Sequence, residues 1–138
     1  MEILKWDDRF KIGLSEIDQQ HRRFFELFQK VHDEFTKGFP NLGPIFDELI
    51  DYASFHFKSE EIWMMDKLYP EVEKHKREHH SFLLRVKKKQ ESFRSGQEHI
   101  SMSTLLFLRE WITGHILNTD AKFGRYVVEY VQVGQRHF

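Results

Sequence analysis

The chain has 138 residues and a net charge of -1, with 21 Lys and Arg against 22 Asp and Glu, no Cys, 9 His and 14 Phe. One compact domain fits this length, and the balanced charge excludes a general pull toward nucleic-acid phosphates. The lack of Cys removes disulfides, thiolate zinc sites, iron–sulfur clusters and cysteine nucleophiles, while 7 Gly, 3 Pro and a 40% hydrophobic share exclude collagen-like and disordered classes.

The first segment, Met1 to Leu14, mixes Glu2, Lys5, Asp7, Asp8, Arg9 and Lys11 with apolar residues, unlike a signal peptide. The longest strongly apolar stretch elsewhere, Leu105 to Leu108, falls far short of the ~20 residues of a membrane span. A soluble cytoplasmic protein is expected, without nucleic-acid binding or membrane insertion. Residues 1–17 carry Trp6, Ile12, Leu14 and Ile17 without a helical period and read as an arm packed along the rest of the fold, with Ser15 as an N-cap.

Gly and Pro at Gly38, Pro40, Pro70 and Gly96 then cut the chain into long blocks, Asp18 to Lys37, Leu42 to Leu68, Glu71 to Arg94 and about His99 to Leu117. Apolar residues recur at three- and four-residue steps: Phe24, Phe28, Val31 and Phe35; Leu42, Ile45, Leu49, Ala53 and Trp63; Val72, Phe82 and Val86; Leu105, Leu108 and Ile112. Four amphipathic helices with short connections predict an all-α, up-down-up-down antiparallel four-helix bundle. The bundle spans 18–117 of a single domain over 1–138, and the extension 118–138 carries Tyr126, Val127, Tyr130 and Val131 at the spacing of a further short helix.

Residues foreign to a core interrupt these stripes. His21 continues the first, His56 and Glu60 the second, His75 and His79 the third, and His115 the fourth. Any one histidine is most simply a buried ring satisfied by a carbonyl. Helical rise, however, puts them at one height: His21 and the midpoint of His56 and Glu60 each lie about 18 residues from the first turn, and His115 about 18 from the third. Such a layer of rings and a carboxylate among Phe needs partners, because an unpaired buried charge costs several kcal/mol. A bound cation satisfies the layer at once.

Imidazole and carboxylate without thiolate suit iron or manganese, and five His with Glu60 exceed a tetrahedral shell, which implies two metals. Asp120 is the candidate second carboxylate. Five α-helical steps from His115 leave it about 140° off the inward direction, so a distortion near Asn118 and Thr119, of the π type, is expected.

These residues resemble the hemerythrins, and specifically the single-domain bacteriohemerythrins. The likeness runs from Trp6 and Ile12-Gly13 through Ile-Asp-Gln-Gln-His ending at His21, His-Phe-Lys-Ser-Glu-Glu from His56, His-Lys-Arg-Glu-His from His75, and Trp-Ile-Thr-Gly-His-Ile before Asp120. The resemblance implies two iron ions (Fe2+/Fe3+) joined by a bridging oxo or hydroxo group. His75, His79 and His115 would hold one iron, His21 and His56 the other, and Glu60 and Asp120 would bridge. One octahedral position then stays open on the iron of His21 and His56, where dioxygen would bind reversibly.

Phe24, Phe28, Trp111 and Ile112 are candidates for a dry oxygen pocket. Ile112 stands where relatives commonly have Leu, and Phe123 where many have Tyr. The remaining His32, His80, His99 and His137 match no ligand position and are expected at the surface or beside the ligands. Oxygen carriage, storage or delivery is the function implied. A sensor of oxygen, redox state or nitric oxide and a di-iron enzyme acting on peroxide or nitric oxide are the alternatives. No Glu-x-x-His pair of the oxygen-activating di-iron enzymes occurs, so a binder is expected and no protein partner is implied.

Overall fold

The computed structural model describes residues 4–38 and 42–132. Four long helices form the bundle: α1 (Ser15–Thr36), α2 (Leu42–Asp66), α3 (Val72–Arg94) and α4 (Met102–Gly114). The chain continues from α4 without a break through a π-helical turn (His115–Asp120), α5 (Ala121–Tyr126) and a second π-helical turn (Val127–Gln132). As far as Gln132, the extension therefore runs on from α4, with α5 as its short helix. Phe39, Pro40 and Asn41 of the first predicted turn, and residues 133–138 with His137, lie outside the described residues.

The core follows the apolar stripes. Phe24, Phe28 and Val31 of α1 meet Phe46, Leu49 and Ala53 of α2, Phe82 and Val86 of α3, and Leu105, Leu108 and Ile112 of α4. In α2 the stripe runs from Glu60 to Met64, which is buried, while Trp63 lies half-buried beside it. A step of four suits α2 better at this point than the step of three that the sequence suggested.

The arm is ordered by side-chain bonds. Asp7 accepts from Arg9 N and starts a short 3-10 turn (Asp8–Phe10), which sets Phe10 edge-on against Phe25 at 4.7 Å. Ser15 is not the N-cap of α1; Leu14 occupies that place, and Asp18 instead accepts from Ile12 N at 2.8 Å. The carboxylate thus ties the arm to the helix start. Gly124 of α5 lets the arm come close, since a Cβ there would collide with the Ile12 carbonyl oxygen.

Local bonds set the helix ends. Ser101 caps α4 by accepting from Thr104 N. At the end of α2, Tyr69 N donates to Met64 O and Leu68 N to Met65 O, with Leu68 at φ 56. This is the αL close of a Schellman turn, made here without glycine. Tyr126 OH donates to the carbonyls of Lys67 and Leu68 and fastens α5 onto that turn.

Candidate metal centre

Each helix delivers its histidines through the 3.6-residue period, His21 from α1, His56 and Glu60 from α2, His75 and His79 from α3. His115 and Asp120 come from the π turn. Ala121 N donates to Ile116 O, five residues back, so one turn takes up an extra residue and Asp120 returns to the face of His115. The distortion expected from the rotation arithmetic is present over His115–Asp120.

All seven residues are buried, with Glu60, His21 and Asp120 fully so. Their donor atoms form two groups, each within 4.8 Å: Glu60, His75, His79, His115 and Asp120 in one, His21, His56, Glu60 and Asp120 in the other. Glu60 and Asp120 belong to both. His75 Nε2 lies 2.7 Å from Glu60 Oε1 and 2.9 Å from Asp120 Oδ1, and His21 Nε2 lies 3.0 Å from Asp120 Oδ2 and 3.4 Å from Glu60 Oε2. None of these approaches has hydrogen-bond geometry: both ring nitrogens of His21 and His75 and both oxygens of Glu60 and Asp120 are buried without a hydrogen-bond partner.

That deficit is the test of fit for a metal. Each unsatisfied buried polar atom costs about 1–3 kcal/mol, and converging imidazole nitrogens and carboxylate oxygens at this spacing are the donor set that divalent metals of the iron and manganese kind take. Two donor groups sharing two carboxylates match a di-metal cluster.

The three outer nitrogens that are satisfied follow one pattern. His56 Nδ1 donates to Gln20 Oε1 at 2.8 Å, His79 Nδ1 to Glu61 Oε2 at 2.8 Å, and His115 Nδ1 to Glu78 Oε2 at 2.9 Å. An Nδ1–H bound in this way leaves Nε2 as the lone-pair atom facing the cluster. Sequence reasoning did not assign Gln20, Glu61 or Glu78 a role. The signal was that each sits next to a candidate ligand of its own helix, about 100° round, and so faces the neighbouring helix.

Electrostatics follow from burial. Desolvation disfavours the charged rings of His21 and His75, yet the carboxylates of Asp120 and Glu60 hold both up at about 9. The same opposition raises His115 well above the ordinary value, whereas burial prevails at His56 and lowers it. Burial also opposes ionisation of Glu60 and Asp120, and the surrounding histidines override it and hold both carboxyls low. His115 holds Glu78 down to about 2.

Aromatic rings wall the cluster. Trp111 stacks on His115 with centroids 4.4 Å apart, Phe57 stacks on His79 at 4.0 Å, and Phe24 stands edge-on to His56 at 6.1 Å. Phe57 was absent from the sequence reading, although Phe46, Ile50, Ala53 and Phe57 form a legible stripe. Phe28 and Ile112 are buried in the same core. Phe123 is buried against Tyr69 and brings no hydroxyl to Asp120. His80 and His99 are exposed as expected, but His32 is buried, with Nδ1 lacking a hydrogen bond and 3.6 Å from Asp33 Oδ1. His32 lies 11 residues along α1 from His21, about 16 Å, so it is neither at the surface nor beside the cluster.

An antiparallel helical bundle with two buried histidine groups that share two carboxylates defines the class: a four-helix-bundle protein with a cluster of residues able to ligate two metal ions. Residues 12–127 match the family model described as the Hemerythrin HHE cation binding domain. The chain is 32% identical over 126 residues to a bacteriohemerythrin of Methylococcus capsulatus, covering 90% of this chain and 96% of the relative. It is 34% identical over 139 residues to one of Stenotrophomonas maltophilia, covering 99% and 90%. A crystal structure of wild-type hemerythrin superposes with a TM-score of 0.86 at 32% identity, covering 89% of this chain and 96% of that one. The chain belongs to the hemerythrin family.

Proposed function

We propose that the protein binds dioxygen reversibly at a non-heme di-iron centre and serves oxygen transport, storage or delivery. The observation that carries this reading is the sharing of Glu60 and Asp120 between a three-histidine group and a two-histidine group. Two iron ions with a bridging oxo or hydroxo group would be held by His75, His79 and His115 on one side and His21 and His56 on the other, with Glu60 and Asp120 across both. When bound, this iron pair supplies two electrons to dioxygen and takes them back on release.

The chain's own residues supply the rest. Gln20, Glu61 and Glu78 fix the tautomer and ring angle of three histidines. Phe24, Phe28, Trp111 and Ile112 make the apolar side of an oxygen pocket and, with Phe57, keep water from the cluster. Five imidazoles to two carboxylates favour binding over oxidation of a substrate, so the protein is a binder rather than an enzyme. Among the described residues no helix is long and apolar enough to cross a membrane.

The test is optical: the iron-loaded, reduced protein is cycled between oxygen and inert gas. Spectra that return to the starting state over repeated cycles support the reading. Irreversible oxidation on the first exposure, or turnover of added peroxide or nitric oxide, overturns it in favour of a sensor or an enzyme.

A further inference from the structure

A cavity of about 200 Å³ runs from the surface to the three-histidine side of the cluster, with Tyr69, Glu71, His75, Glu78, Thr119 and Lys122 in its walls. His75 forms the inner wall; it is 2% exposed and its Nδ1 has no hydrogen-bond partner. The grooves beside Trp6 and Trp63 include no cluster residue in their walls. Two of its wall residues form a partly exposed ion pair, Lys122 Nζ to Glu71 Oε2 at 2.5 Å, that links α5 to the start of α3.

The chemistry of the walls favours a cation in transit. Glu78 is more than one-third exposed, and its Oε2 accepts from His115 Nδ1 at 2.9 Å, so its carboxylate spans the distance from the cavity to a cluster histidine. Glu71 adds a second carboxylate and Tyr69 and Thr119 add hydroxyls, while Asn118, also in the wall, is oriented by donating through Nδ2 to Gly114 O. These are hard oxygen donors that can replace the water of an incoming ferrous ion one ligand at a time. The cluster itself, walled by Trp111, Phe57 and Phe24 and packed on the core, offers no comparable polar approach on those faces.

We infer that this cavity is the port through which iron enters and leaves the cluster, with the Glu71–Lys122 pair as its gate and Glu78 as the carboxylate that hands the ion inward past His75. The inference rests on the reading of the cluster as an iron site.

Two charge changes in this ion pair test it in opposite directions. Lys122→Met removes the cation and frees Glu71, whereas Glu71→Gln leaves Lys122 and the nearby Lys74 of the same wall unopposed. Apo protein is mixed anaerobically with ferrous ion to follow uptake, and loaded protein is mixed with ferrozine to follow release. Since focused charge alters ionic association rates by tenfold or more, Lys122→Met should speed uptake roughly three- to tenfold and Glu71→Gln slow it by a similar factor. Release should quicken in Lys122→Met, and both variants should reach the parent's iron content. Lys87→Met, on an exposed position of α3, should change neither rate.

Rates within twofold of the parent in both variants of the pair would overturn the port. So would faster rates in both, which would mark a general loosening of the fold. A parent chain that takes up no iron pair at equilibrium would instead overturn the reading of the cluster itself.

Discussion

Glu78 of α3 accepts a hydrogen bond from His115 Nδ1 in the next stretch of chain, at 2.9 Å. Gln20 of α1 does the same for His56 of α2, and Glu61 of α2 for His79 of α3. Each of the first three helices thus offers one residue inward and the adjacent one to the histidine of the next segment. The bundle order α1, α2, α3, α4 and the ligand orientation are thereby fixed by the same contacts.

If Glu78 orients His115, Glu78→Ala should weaken iron binding by about 10- to 100-fold, the range for loss of such a partner. Glu78→Gln should retain most of the affinity, because its amide oxygen can accept from Nδ1 as Gln20 does for His56. Equilibrium competition against a calibrated chelator measures both. Equal losses in the two variants would show that the charge of Glu78, not its hydrogen bond, is what matters.

Proton linkage separates the apo and loaded proteins. His21 and His75 are raised to about 9 in the fold, above the ordinary value of about 6.5. Groups raised in this way stabilise the fold fully below the unfolded value and lose that contribution as pH climbs through the folded one. The melting temperature of the apo protein should therefore fall between about pH 7 and 9.5. Iron displaces those protons, so the loaded protein should show no such fall, and loading in weak buffer near neutrality should release protons. A flat apo profile over the same interval would refute the link.

How much of this was legible beforehand depends on whether a residue acts within its own helix. His21, His56, Glu60, His75, His79 and His115 betray themselves by periodicity, and Asp120 by a misfit of rotation that a π turn resolves. Gln20, Glu61 and Glu78 act across helices, and a helical period in one segment says nothing about which neighbour a polar side chain meets. Ser15 was misleading for the same reason: Asp18 turned to the arm, and the carbonyl and amide geometry placed Leu14 at the cap. His32 is buried although its local pattern gave no warning.

Leu68 offers a local test of helix termination. It holds φ 56 with its side chain 82% exposed, so it bears the αL penalty of an L-residue without burying the side chain. That penalty is about 1–2 kcal/mol, partly offset by the greater freedom of glycine in the unfolded chain. Leu68→Gly should stabilise the protein by about 0.5–1 kcal/mol in urea titration. A lower midpoint would mean that the Leu68 side chain contributes contacts that outweigh the backbone strain.

Gly124 tests the arm in the opposite direction. A Cβ at this position would overlap Ile12 O and stand 3.0 Å from Ile12 Cβ, and the overlapped atom belongs to the backbone, which cannot swing aside. Ala is otherwise the better helix former by about 1 kcal/mol, so propensity alone predicts that Gly124→Ala stabilises α5. The clash should win, because relieving it requires moving the arm off α5, away from the Asp18 bond that holds Ile12 N. The expected outcome is a loss of about 1–3 kcal/mol in urea titration, with faster amide exchange at Ile12. Restored stability in Gly124→Ala on deleting the arm's contacts through Asp18→Ala would confirm the coupling, whereas a stabilised single variant would show that the arm yields without cost.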